Sequence, residues 1–210
     1  MAARVTIEEL ERGDRYELVR RLSYEEIPDF VMEHLFRKNK ETRFFWLSVL
    51  LFLVLAIRPT IDFFASAPGF WNFLLYAFLG LVLFPLLLAP LHEIIHAFFF
   101  LLAGGRHLRA GIDLKNFFIY VTAHRHPVGR KAFRRIALAP FFVLNTALLA
   151  AAWLTPGYLS WSLYLTLFSH ATMCAGDFAM LSFYASFGDR EVITYDDVEE
   201  KCAYFYVEKE

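Results

Sequence analysis

The sequence predicts a mainly α, polytopic helical membrane protein with about four transmembrane helices and a small cytoplasmic β-hairpin element. Three observations predict it. Of the 210 residues, 58% are hydrophobic and 24 are Phe, and the mean hydropathy is positive; a soluble domain of this size rarely carries so much apolar surface. The charges are segregated into residues 1–43, the 104–135 stretch and the tail after Phe187, as spans separated by wet segments require. The stretches between are nearly bare of charge and long enough to cross roughly 30 Å of hydrocarbon.

The elements follow in chain order. Residues 1–42 form a charged N-terminal segment. Within it, "YEEIPDFVMEHLFRK" repeats Ile27, Phe30, Val31 and Leu35 at helical spacing. This amphipathic helix either lies on the membrane surface or leads, solvated, into the first span; His34 reads as a surface residue. The membrane domain covers 43–186. Its first apolar run is Phe44 to Ile57. The second starts near Trp71 and continues to Gly104, about 50 Å as helix, so it is either one tilted, kinked helix or two pieces. Pro85 and Pro90 mark where it would bend or restart, and "AGG" at 103–105 reads as a helix stop. In the 105–130 loop, alternation in "NFFIYVTAH" predicts a strand with a hairpin partner in "HLRAGIDL". The third run spans about Ala132 to Thr155 and ends at "TPGY"; the fourth runs from about Leu159 to Tyr184. The tail, 187–210, reads as two strand-like pieces around "YDDVEE".

Lys and Arg set the orientation. They cluster in the N-terminal segment, from Arg4 to Arg43, and in the middle loop, including Arg106, Arg109, Lys115, Arg125 and Arg130; the other side has only Arg58 at a span end. Both termini and the middle loop are therefore expected in the cytoplasm, which an even number of spans allows. The location implied is an integral, multi-pass position in a bacterial or archaeal cell membrane, with the lipid bilayer as a partner. A net charge of −1 gives no sign of nucleic-acid binding. The two cysteines, Cys174 and Cys202, exclude a disulfide framework. No signal-peptide pattern precedes Phe44, no Gly-rich phosphate loop or Ser/His/Asp arrangement is present, and nothing sets an oligomeric state.

The informative stretch is "APLHEIIHAFFFLLAGG", residues 89–105, with His92, Glu93 and His96 inside an apolar run. On a helix, His92 and His96 are i, i+4 and share a face. Their neutral imidazoles suit Zn²⁺, whose catalytic sites keep a position open for water; Glu93, the next residue round, can take that water's proton without ligating the metal. Three ionisable groups in a span are costly and mark function. A third ligand must come from another span. "SHATMCAGDFAM" offers His170 and Asp177. With the second span leaving the membrane near Gly104, the two histidines lie roughly 12–18 Å deep, Asp177 lies roughly 13 Å deep, and His170 about 10 Å deeper still. Depth therefore selects Asp177 as the ligand. His170 is left as a partner behind the ligands, a substrate contact or a bundle residue. Gly176 would admit a neighbouring backbone. Asn145, inside the third span, can bond a substrate carbonyl or bridge helices. His107, His124 and His126 belong to the loop's solvated cationic surface.

"HEIIHAFFFLLAG", then "GRKAFRRIALAPFFVLN", "SHATMCAGDFAM" and the "TYDD…AYFYV" tail resemble the DUF3267 family of zincin-type membrane peptidases, over roughly residues 85–207. That family is distantly similar to the site-2 proteases, intramembrane zinc enzymes with HExxH in one span and an aspartate in a later one. The resemblance implies His92, His96 and Asp177 as zinc ligands and Glu93 as the base. One departure stands out. Site-2 proteases carry Asn-x-x-Pro shortly before Leu-Asp-Gly, whereas here Ala175-Gly176-Asp177-Phe178 stands alone and Asn145 lies in a separate span after Pro140. The metal site carries over and the substrate-handling residues do not.

The function expected is zinc-dependent hydrolysis of peptide bonds in membrane or membrane-proximal proteins or peptides. The alternatives are a non-proteolytic zinc-binding membrane protein, either transporter or scaffold, and a zinc-dependent lipid amidase or esterase.

Overall fold

The computed structural model describes residues 5–113 and 118–210. Arg4 and Lys115 among the basic residues, and Leu114, Asn116 and Phe117 of the expected hairpin, lie outside them. The described residues are mainly helical, and among them three helices are long and apolar enough to cross a membrane.

Helix α1 (Ile7–Arg12), strand β1 (Tyr16–Ser23) and helix α2 (Ile27–Leu35) precede the first long helix, α3 (Lys40–Ala65). Asn39 starts α3 by accepting the Thr42 N–H at 3.0 Å, which satisfies an otherwise orphan donor. The second apolar run is one unbroken helix from Gly69 to Leu102, made of α4 (Gly69–Phe78), a wide π turn at Leu79–Leu83, and α5 (Phe84–Leu102). The wide turn sits just before Pro85, which has no N–H to donate to the turn behind it. Neighbouring hydroxyls reach the carbonyls of this stretch. From α7 (Tyr158–Met173), Ser162 Oγ donates to the Tyr76 carbonyl at 2.7 Å and Thr166 Oγ1 to that of Gly80 at 3.2 Å. Gly80 permits the approach, since a Cβ there would lie 2.6 Å from the Ser162 carbonyl oxygen. Gly104, at φ +90°, ends the helix as the sequence predicts.

The third long helix is α6 (Arg130–Leu154). The fourth apolar run divides at Cys174 into α7 and α8 (Ala175–Ala185), where Gly176 weakens helix propensity. Phe45, Val49 and Phe52 of α3, Phe141 and Leu148 of α6, Leu167 and Ala171 of α7, and Phe178 and Leu181 of α8 form the main core. Outward faces are apolar too: Leu50, Leu51 and Val54 of α3 and Leu86, Leu87 and Ile94 of α5 are exposed, the kind of patch a bilayer covers.

Strands β2 (Leu108–Asp113) and β3 (Phe118–Ala123) pair antiparallel, with Leu108 opposite Ala123. Strands β4 (Val128–Gly129), β5 (Val192–Asp197) and β6 (Cys202–Glu208) join β1 in a second antiparallel sheet, in the order β1-β6-β5-β4. The two tail strands match the sequence reading. Strand β1 is not predicted by the sequence, since "YELVRRLS" has too few apolar residues to alternate clearly; its partner β6 supplies the ladder. One sheet face (Val192, Phe205, Val207) packs on Phe30, Phe183 and Tyr184, and α1 covers Ile193, Tyr195 and Tyr206 on the other.

Two local expectations change. The apolar face of α2 is buried in protein, with Phe30 in the core beneath the sheet and Leu35 in that of the bundle, so α2 is neither laid on lipid nor solvated on that face. His34 is not a surface residue. It is 3% exposed, stacks on Phe30, and its Nδ1 lies 3.0 Å from the Phe30 carbonyl; α8 covers it, with Ser182 Oγ donating to the His34 carbonyl at 2.7 Å.

Candidate metal centre

His92 and His96 sit one turn apart on α5, and both are buried. Asp177 stands in the first turn of α8, where a carboxylate complements the helix's positive end. The Nε2 atoms of the two histidines are 3.0 Å apart; Asp177 Oδ2 lies 3.4 Å from His92 Nε2 and Oδ1 lies 3.3 Å from His96 Nε2. Two ligand atoms held about 2.05 Å from zinc at the tetrahedral angle are about 3.3 Å apart. The three side chains are therefore close enough together that they would hold one zinc ion.

The second ring nitrogens are also engaged. His96 Nδ1 is 3.0 Å from the Ile136 carbonyl oxygen in α6. That oxygen only accepts, so the proton sits on Nδ1 and the Nε2 lone pair is left for a metal. His92 Nδ1 is 3.3 Å from His170 Nε2, and His170 Nδ1 is 2.9 Å from Asn145 Oδ1. Asn145 Oδ1 accepts from His170 Nδ1–H, His170 Nε2 accepts from His92 Nδ1–H, and His92 Nε2 keeps its lone pair.

Glu93 lies beside the pair, its Oε2 accepting the Val121 N–H of β3 at 2.8 Å. His92, Glu93, His96 and Asp177 line a cavity of about 570 Å³ whose other walls include α2, β3, α6 and Asp196 of β5. A second set of potential ligands, His92, His170 and Cys174, is also close-packed. There, however, Cys174 Sγ turns to the His170 carbonyl at 3.4 Å, and neither residue borders the cavity. Of these two sets among the described residues, the His92, His96 and Asp177 set faces open space.

The structure thus brings His92, His96 and Asp177 together, sets Glu93 next to them, and places His170 and Asn145 in line behind His92. His170 is expected from depth about 10 Å beyond the ligands, but its Nε2 lies 3.3 Å from His92 Nδ1; the run is not one straight helix, since it divides at Cys174. Gly176 does not admit a neighbouring backbone. A Cβ there would meet nothing within 4 Å, and the residue borders the cavity. The Val121 N–H and the Ile136 carbonyl carry no sequence signal because they are backbone groups. Tyr24, Thr122 and Asp196 belong to no motif in the sequence; Asp196 falls in "YDDVEE", whose charges predict a turn.

The family model described as "Putative zincin peptidase", DUF3267, matches residues 85–190. No curated protein and no solved structure matches the chain. The matched segment is half of the chain and holds the two histidines, Glu93, Asn145, His170 and Asp177, so the chain belongs to the DUF3267 family.

Proposed function

We propose that this protein is a zinc-dependent, membrane-embedded peptidase acting on membrane or membrane-proximal proteins. The observation that carries the reading is the convergence of His92, His96 and Asp177 beside Glu93, at the wall of an open cavity. The family description supports zinc and peptidase chemistry in general. His92 and His96 through Nε2, and Asp177 through its carboxylate, would hold the metal. Bound there, zinc polarises a carbonyl and acidifies water. Glu93, steadied by the Val121 amide, takes the water's proton and passes it to the leaving amine.

A substrate segment must be extended before its carbonyl is reachable. In β3 the Val121 N–H points away from β2 and toward Glu93. By the alternation of an antiparallel ladder, the Ile119 backbone points the same way. An extended peptide laid along this edge gains main-chain hydrogen bonds and enters the cavity beside Glu93. The three long helices together with the α7–α8 run make four spans, and the basic residues of the N-terminal segment and middle loop put both termini and the β-layer on the cytoplasmic side of a bacterial or archaeal membrane.

The test is zinc content of detergent-purified wild type, Glu93→Gln and Asp177→Ala, run beside casein cleavage. Zinc kept and cleavage lost in Glu93→Gln, with zinc lost in Asp177→Ala, supports the reading. Stoichiometric zinc without any Glu93-dependent hydrolysis points to a transporter or scaffold. Hydrolysis confined to lipid amides or esters points to the third class.

A further inference from the structure

The cavity that reaches the metal ligands has a second polar end, built from Asp196, Thr122 and Tyr24. Asp196 and its neighbour Asp197 are on opposite faces of β5 and are treated differently. Asp197 is ion-paired with Arg125 at 2.8 Å and accepts the Glu199 and Glu200 N–H groups of the following turn. Asp196 faces the cavity, and its carboxylate accepts one hydrogen bond, from Thr122 Oγ1 at 2.5 Å. Among the described residues, the nearby cations are committed elsewhere. Arg125 is bound to Asp197, His124 Nδ1 accepts the Val198 N–H at 3.2 Å, and the Arg130 guanidinium donates to the Gly188 and Tyr184 carbonyls. A carboxylate in a largely apolar cavity without a counter-charge is costly.

A separate observation falls at the same end. Tyr24 is 7% exposed, lines the cavity, and its hydroxyl has no hydrogen-bond partner among the described residues. Its ring is held by Tyr120, 5.1 Å away edge to face, and Tyr120 is itself seated over Gly111 across the β2–β3 pair. A buried hydroxyl left unpaired beside an uncompensated carboxylate describes a place that a ligand completes. The ligand chemistry follows from the two groups. It must carry positive charge for Asp196 and N–H donors for both oxygens, within a cavity wide enough for a side chain.

We propose that this end of the cavity is a specificity subsite for a lysine or arginine side chain of the substrate, with Asp196 as its anion and Tyr24 as a further acceptor. The proposal rests on the peptidase reading above and names the substrate feature that reading lacks. Position along β3 fixes the offset. Val121 donates to Glu93, and the next residue, Thr122, donates to Asp196. At about 3.4 Å per residue, the basic residue would fall within about three positions of the cleaved bond.

The experiment uses full-length Glu93→Gln protein in detergent, so that binding is read without turnover. The probes are fluorescent twelve-residue peptides, blocked at both ends, with one Arg walked through the central six positions, and the matching Gln peptides. Anisotropy should give about 10-fold tighter binding for Arg over Gln at one or two adjacent positions, and Asp196→Asn in the same background should erase the preference. Zinc content and a thermal melt report that the Asn variant is folded. Equal binding of Arg and Gln peptides, no binding of either, or a preference that survives Asp196→Asn overturns the subsite. The peptidase reading is judged separately, by wild-type cleavage of casein. Arg preference without cleavage leaves the subsite and removes the enzyme, whereas cleavage without Arg preference does the reverse.

Discussion

His170 Nε2 lies 3.3 Å from His92 Nδ1, and Asn145 Oδ1 lies 2.9 Å behind it. A histidine that reads from the sequence as one polar residue among several is thereby tied to the tautomer of a candidate ligand. His170→Ala should lower zinc affinity by about 10–100-fold, the usual cost of losing a partner behind a ligand, without abolishing binding as His96→Ala should. Competition with a graded chelator measures it. Unchanged zinc retention in His170→Ala would reduce His170 to a packing residue.

Glu93→Gln keeps the size of the side chain and its hydrogen bond from Val121 but removes the base. Zinc content and melting temperature should stay near wild type, while casein cleavage should fall by about 10²–10⁴-fold, the range for losing a general base. Cleavage within a few-fold of wild type would reassign the proton transfer.

Proline is tolerated on a strand edge whose N–H does not serve the ladder. Ile119→Pro should therefore leave the β2–β3 pair and the bound zinc intact while cutting cleavage about 10-fold or more, because a substrate strand loses a main-chain donor. Full activity in that variant, measured on casein, would remove β3 from substrate binding.

Asp196 carries a stability prediction of its own. Burial raises its carboxyl to about 6 from an ordinary 3.8, with the Thr122 hydrogen bond opposing. Between those values the folded protein holds a proton that the unfolded chain has released, so stability falls as pH rises through that window and levels off above it. Asp196→Asn mimics the protonated form. It should stabilise the protein by about 3 kcal/mol at pH 7.5 and by about 0.5 kcal/mol at pH 4. Melting curves of both proteins at the two pH values check this; a destabilised Asn variant at pH 7.5 would mean that the charge is compensated.

Gly80 lets α7 seat against the wide turn of the second long helix, with the Ser162 carbonyl 2.6 Å from where a Cβ would sit. Gly80→Val should cost about 1–3 kcal/mol through overpacking and weaken zinc binding, since α5 and α7 carry His92 and His170. A thermal melt with zinc content reads both effects.

Much of this protein is written locally and is legible there. Apolar runs longer than a soluble helix needs declare the membrane class, because hydrocarbon accepts little else. The i, i+4 spacing of His92 and His96 declares a shared face, because helical geometry is local. Asp177 was reached by depth alone, because rise per residue is the same in every span. The remaining features depend on which elements meet. "YELVRRLS" is a strand because β6 lies beside it, and α2 buries Phe30 because α8 and the tail sheet are there to receive it. The Ile136 carbonyl and the Val121 amide serve the site through backbone atoms, which every residue type carries alike. Asp196 and Asp197 are the same residue in sequence, and only the two faces of a folded sheet make one a paired structural anion and the other an uncompensated charge in a cavity. The sequence by itself determined the long apolar helices that fit a membrane protein and the shared face of His92 and His96, since these follow from composition and spacing along one chain; the tertiary structure alone decided the backbone contacts, the chain of partners behind His92 and the acidic end of the cavity, since these arise where distant segments pack.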